Sequence, residues 1–82
     1  MNCLIVFRSM TQAQSAAAIL RKNGVSTVLV KPPVSLGRGS CAFGLLVSRN
    51  YLPGALQLLA KTSLRPLGLF ENTPSGWREV VL

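Results

Sequence analysis

The apolar positions of this chain recur with two spacings, one typical of strands and one typical of helices. Short apolar runs rich in β-branched and aromatic residues predict strands. They cover Cys3–Phe7, Val25–Val30, Phe43–Val47, Leu67–Phe70 and, at the end, Trp77–Leu82. Apolar residues at i, i+3, i+4 and i+7 predict helices. One such stripe comprises Ala13, Ala16, Ala17 and Leu20, and a second comprises Leu52, Ala55, Leu56 and Leu59.

Boundary signals accompany these segments. Ser9 is followed three residues later by Gln12, a capping-box pattern that predicts the start of the first helix. Gly24 predicts its end in a left-handed conformation. Asn50 is a candidate cap for the second helix, and the dipeptide Pro32-Pro33 ends the second strand because proline donates no hydrogen bond to a ladder. The segment Thr73–Gly76 predicts a turn between the last two strands.

The order of elements is therefore β-α-β, a loop, β-α-β and a final strand. Two β-α-β halves in 82 residues indicate one domain over residues 1–82 with an α+β fold. We predict a ferredoxin-like split βαβ (βαββαβ) two-layer sandwich with an added C-terminal strand. Right-handed crossovers place both helices on one face of the sheet and leave the other partly bare. We therefore expect a homodimer, formed through the open sheet face or through the edge that carries residues 80–82.

Composition limits the chemistry of the chain. It contains no His and no Asp, and its acids are Glu71 and Glu79. This excludes Ser/His/Asp and Cys/His catalysis within one chain, and two cysteines without His cannot complete a zinc site in a monomer. We expect neither metal nor cofactor. No apolar run reaches the roughly 18 residues of a membrane span, and no basic region precedes the first apolar run, so we expect a cytoplasmic protein without membrane attachment.

The net charge of +7 comes from nine basic and two acidic residues. Scattered Lys and Arg side chains are typical of an ordinary soluble surface, but they also suit an anionic partner. RNA-binding sheets stack bases on aromatic residues interleaved with basic ones. The five aromatic residues of this chain do not form such a strand, so we do not expect nucleic-acid binding.

The central loop holds the candidate chemistry, because Cys41 is the most nucleophilic side chain that the sequence offers outside a predicted strand. A thiol reacts as its thiolate, which nearby cations stabilise. Lys31 and Arg38 are the cations of this segment. Backbone N–H groups of a Gly-rich loop can add an anion-binding nest, and the residues that would supply it are Gly37, Gly39, Ser40 and Gly44. Two alternatives remain open here. In the first, Cys41 is a small residue at the start of a strand. In the second, the glycines serve backbone conformations with positive φ.

Several of these residues form an ordered pattern. It consists of Phe7-Arg8-Ser9, Ala13, the run Leu20–Val25, Pro32-Pro33, Leu36 and Ser40-Cys41. In this order and spacing the chain resembles a family of small bacterial selenium/sulfur (Se/S) carrier protein-like proteins, over about residues 4–60. One departure is Ala42, which stands where a glycine usually follows the cysteine.

The resemblance implies a carrier rather than a stand-alone enzyme. Cys41 would accept a persulfide or selenopersulfide from a donor, such as a cysteine desulfurase or a selenide donor, and pass it to an acceptor protein. Lys31, Arg38 and the loop glycines would stabilise the anion. The alternative is a non-enzymatic protein-binding or oligomerisation module with a basic surface, in which the thiol of Cys41 is incidental.

Overall fold

A computed structural model describes residues 2–33 and 42–80. This part of the chain forms two α-helices and a five-stranded antiparallel sheet, which confirms the predicted α+β class. In chain order the elements are β1 (Cys3–Phe7), α1 (Met10–Lys22), β2 (Thr27–Val30), β3 (Phe43–Val47), α2 (Leu52–Ala60), β4 (Gly68–Thr73) and β5 (Gly76–Glu79). A short 3₁₀ turn, Arg49–Tyr51, precedes α2.

The strands lie in the order β2-β3-β1-β4-β5. β1 is the centre of the sheet, and both of its neighbours come from the second half of the chain. Phe7 lies opposite Phe43 on β3, and Cys3 lies opposite Glu71 on β4. The first four strands therefore have the interlocked order of a split βαβ, and β5 extends the sheet beyond β4 by a hairpin.

Both helices pack on the same face of the sheet, as the sequence predicts. Alternate residues of a strand point to opposite faces, and on this side Ile5 and Phe7 are fully buried against the helices. The main core consists of these residues with Ala13, Ala16, Ala17, Leu20, Val25, Leu45, Val47, Ala55, Leu59 and Leu69. The small alanine side chains of α1 face inward, which lets this helix lie close to the sheet.

The ends of α1 follow the local sequence signals. Ser9 is the N-cap, and its hydroxyl accepts a hydrogen bond from the backbone N–H of Gln12 at 3.2 Å. At the other end Gly24 has φ +82°, and its N–H donates to the carbonyl of Arg21 at 3.1 Å. These contacts satisfy backbone groups that a helix leaves unpaired at its termini.

The face of the sheet without helices carries a second, smaller apolar cluster. Leu4 and Val6 are buried there together with Ala42. Partly buried side chains surround them, namely Val30, Leu46, Leu67, Phe70 and Trp77. Val28 on the edge strand β2 is 45% exposed. This face is thus apolar and exposed at its β2 edge, whereas its centre is buried.

Some boundaries differ from the predictions. β2 begins at Thr27 instead of Val25, and β4 covers Gly68–Thr73 instead of Leu67–Phe70. β5 covers Gly76–Glu79, and residues 81–82 of the predicted strand lie outside the described residues. Asn50 does not cap α2, because the chain makes a 3₁₀ turn there and the helix starts at Leu52 with no side-chain cap.

Candidate functional site

The two ends of the central loop lie side by side at one end of the sheet. β2 ends at Val30, which pairs with Gly44 near the start of β3. The described chain leaves the sheet through Lys31 and re-enters it through Ala42. Five predicted site residues, Gly37, Arg38, Gly39, Ser40 and Cys41, lie outside the described residues. The site is therefore built from what surrounds the two ends of this segment.

Lys31 joins the two ends directly. Its Nζ donates a hydrogen bond to the backbone carbonyl of Ala42 at 3.1 Å, and Ala42 is the residue that follows Cys41 in the chain. The same Nζ lies 5.7 Å from the centre of the Phe43 ring, which is within cation–π range. The ammonium group of Lys31, a predicted site residue, therefore lies beside Ala42, the residue that follows the candidate nucleophile Cys41.

Gly44, another predicted site residue, lies inside β3 and is paired on both sides, with Val6 and with Val30. A Cβ built at this position would stand 2.7 Å from Cδ1 of Leu4. The absence of a side chain at Gly44 therefore makes room for Leu4 on the helix-free face. Backbone groups at a position paired on both sides serve the ladder, so this position has a structural role in the sheet.

Cys3 is buried at the start of β1, as expected for a small apolar residue. Burial raises the pKa of its thiol, and the negative charge of Glu71 raises this pKa further. The positive charges of Arg49 and of the N-terminus act in the opposite direction but are smaller. A buried thiol with a raised pKa is a poor nucleophile.

Sequence reasoning missed an ion-pair cluster at the same end of β1. One carboxylate oxygen of Glu71 lies 3.0 Å from Nη1 of Arg49, and the other lies 2.9 Å from Nη2 of Arg78. The glutamate side chain is only 12% exposed, whereas the two arginine side chains are more than two-thirds exposed. The small number of acids was the indication of this cluster in the sequence, because a single acidic side chain in a strand of a basic protein has many cations with which to pair.

The end of the sheet that carries Lys31 and Ala42 has a different electrostatic character. Arg8 follows β1, Lys61 follows α2 and Arg65 precedes β4, and all three residues are exposed at this end. Both acids lie elsewhere: Glu71 is at the opposite end beside Cys3, and Glu79 is on the edge strand β5. The loop therefore meets the sheet at a basic surface.

Within residues 2–33 and 42–80, no three or more His, Cys, Asp or Glu side chains are grouped so that they could hold a metal ion. No helix in this part of the chain has the length and apolar character that crossing a membrane requires.

A comparison against protein families identifies the class of protein to which the chain belongs. A family model described as "Putative Se/S carrier protein-like" matches residues 2–71 of the 82 residues. The chain belongs to this family. The matched range spans the positions of the pattern that carries the resemblance. No curated protein and no solved structure matches the chain.

Proposed function

We propose that this protein carries sulfur or selenium as a persulfide or selenopersulfide on Cys41. The thiolate of Cys41 attacks the terminal sulfur of a donor persulfide, R–S–SH, and displaces the donor thiolate. The products are Cys41–S–SH and R–SH, so one S–S bond forms, one breaks and no external oxidant is needed. A donor selenopersulfide, R–S–SeH, gives Cys41–S–SeH by the same exchange.

The observation that carries this proposal is the position of Lys31. Its ammonium group is held 3.1 Å from the carbonyl oxygen of Ala42, one residue beyond Cys41. A cation close to a cysteine favours the thiolate and stabilises the anionic persulfide that replaces it. Family membership supports the same role, and the burial of Cys3 leaves Cys41 as the better nucleophile of the two cysteines.

The remaining parts of the proposal follow from this role. Arg38 adds a second cation, and the backbone N–H groups of Gly37, Gly39 and Ser40 add an anion-binding nest. The partners are a persulfide or selenide donor and an acceptor protein, which approach the basic end of the sheet. We place the exchange in the cytoplasm, where free thiols stay reduced.

Intact-mass spectrometry tests the transfer. The protein is incubated with a cysteine desulfurase and cysteine, and we expect the mass of one additional sulfur atom, which a reducing agent removes. Cys3→Ser is the matched control and should gain the sulfur as the unchanged protein does, whereas Cys41→Ser should not. Equal addition to Cys41→Ser, or none to the unchanged protein, would refute the proposal.

Thiol labelling separates this function from the alternative of a binding module with an incidental thiol. In the Cys3→Ser background, iodoacetamide should label Cys41 with an apparent pKa below the usual value of about 8.5. Lys31→Met should slow labelling at neutral pH, and Lys22→Met, which removes the same charge at the far end of α1, should not. Slow labelling with an apparent pKa at or above about 8.5 would favour the binding module.

A further inference from the structure

The helix layer lies off the centre of the sheet. α1 packs on β1, β2 and β3, and α2 packs against α1. The helices therefore leave the side of β4 and β5 less covered.

A groove of about 580 Å³ lies there, between α2 and the strands. Its floor contains Leu69 on β4 and Val80, whose N–H donates to the carbonyl of Leu69 at 2.7 Å. One wall is α2, and the other is the connection that leads into β4. The apolar lining includes Leu52, Leu56, Leu59, Leu64, Leu69 and Val80. This volume is within the range of small-ligand sites, which are concave and mostly apolar.

Arg65 is the charged residue of this lining. Its Nη1 donates to the carbonyls of Thr62 at 3.0 Å and Leu64 at 3.4 Å. The hydroxyl of Thr62 in turn donates to the carbonyl of Leu59 at 2.8 Å and accepts from the N–H of Leu64 at 3.1 Å. These bonds fix the guanidinium group relative to α2. A guanidinium has five N–H donors, so Arg65 retains donors for an anion after its two contacts through Nη1.

The lining residues indicate the size of the ligand, because they include both ends of α2, Leu52 and Ala60. The groove runs beside α2, whose nine residues extend over about 13 Å at about 1.5 Å per residue. A fully extended chain of about ten carbons has this length, and it would lie along the leucine side chains with its head group at Arg65. A second copy of this protein suits the groove less well, because a two-fold contact through the groove would bring Arg65 beside its own counterpart.

We propose that the groove between α2 and β4–β5 binds an anionic amphiphile, a carboxylate with an unbranched chain of about ten carbons. The chain packs on the apolar lining and the carboxylate accepts hydrogen bonds from Arg65. The proposal does not depend on the carrier function.

A heteronuclear NMR titration with decanoate, kept below its micelle concentration, tests the proposal on the full chain. We expect saturable shifts of the signals of Leu56, Leu69 and Val80. Decyltrimethylammonium, which has the same chain length and the opposite charge, should bind about tenfold more weakly. This comparison needs no substitution and therefore stands even if a variant fails to fold.

Three variants locate the site. Arg65→Gln should weaken decanoate binding about tenfold, and Lys22→Gln, which removes a charge at the end of α1, should leave it unchanged. Ala60→Phe should fill the groove from an exposed position and abolish saturable binding without lowering the melting temperature. Equal affinity for both amphiphiles, no saturable shift, or shifts centred on Val28 and Trp77 of the other face would overturn the proposal.

Discussion

A methyl group at position 44 would come within 2.7 Å of Leu4 Cδ1. Leu4 is 1% exposed and packs in the cluster on the helix-free face, so it has little room to adopt another rotamer. The glycine at position 44 is therefore required by packing against Leu4. The sequence places Gly44 close to Cys41 but does not indicate that Leu4, 40 positions earlier, fills the space that a Cβ would take.

Gly44→Ala should lower the free energy of unfolding by about 1–2 kcal/mol through overpacking. Gly54→Ala is the matched control, because a Cβ at Gly54 in α2 meets nothing within 4 Å. That substitution should be neutral or stabilise by up to about 1 kcal/mol, since alanine favours helices over glycine. Urea unfolding monitored by circular dichroism compares the two, and equal stabilities would contradict this account of Gly44.

The burial of the Cys3 thiol should be measurable in the pH dependence of its labelling. Its pKa in the folded protein is raised, so the folded state holds the proton more tightly than the unfolded state does. The resulting stabilisation is complete below the unfolded pKa of about 8.5 and is lost as pH rises through the folded pKa. In Cys41→Ser, iodoacetamide labelling of the native protein should therefore reach half its maximal rate only above about pH 8.5.

The same variant unfolded in urea provides the reference for that experiment. There the half-maximal rate should fall near the usual thiol pKa, and labelling at any pH between the two midpoints should be faster than in the native protein. Equal labelling rates for the native and unfolded chains at every pH would show that Cys3 is exposed to the reagent.

At the scale of elements, the two helices differ in how far local sequence determines them. α1 has its cap, its buried stripe and its glycine stop in one continuous segment, and all three appear in the structure. The turn before α2 is instead fixed by a residue distant in sequence, because the N–H of Arg49 donates to Oδ1 of Asn2 at 3.2 Å. A partner 47 residues away leaves no local signal, so the prediction that Asn50 caps this helix was wrong.

The buried stripe of α1 gives a test at this scale. Ala16→Leu or Ala17→Leu should destabilise the protein by about 1–3 kcal/mol, because each alanine is buried against the sheet and the added atoms overpack that contact. Ala18→Leu adds the same atoms on the exposed side of the same helix and should change stability little. Thermal unfolding measures all three. If the inward and outward variants melt together, the helix presents a different face to the sheet.

β4 shows the same limit of local reasoning. Its apolar run ends at Phe70, yet the strand continues to Thr73, because Cys3 pairs with Glu71 and β5 pairs with the remainder. Arg49 and Arg78 hold the Glu71 carboxylate on either side. A charged residue in a strand thus depends on partners that only the folded chain brings together.

At the scale of the whole molecule, the helix-free face raises the question of self-association. The sequence predicts a homodimer whose contact uses either this face or the edge at residues 80–82. Val80 packs on the helix side of the sheet, where its N–H is bonded to Leu69. The helix-free face instead combines the 45% exposed Val28 with partly buried Leu46, Phe70 and Trp77. We therefore expect a dimer through this face.

Sedimentation equilibrium at low and high salt tests the dimer. An apolar contact in a chain of charge +7 should not weaken at high salt, because salt screens the repulsion between like-charged protomers. Val28→Lys should shift the population to monomer, whereas Lys22→Gln, away from this face, should not. A monomer under both salt conditions would disprove the prediction and leave the face available to a partner protein.

The central position of β1 has a consequence for the time course of synthesis. β1 is made before either of its neighbours, and its register requires residues of β3 and then of β4, up to Glu71. At about 5–20 residues per second the ribosome needs several seconds to produce that length. Until β3 is complete at Val47, Cys3–Phe7, a strand with all five residues buried in the final fold, has no partner strand, and its second edge has none until Glu71 is made. The nascent chain therefore exposes its most apolar strand for longest, and chaperones that bind extended apolar segments have those seconds in which to bind it.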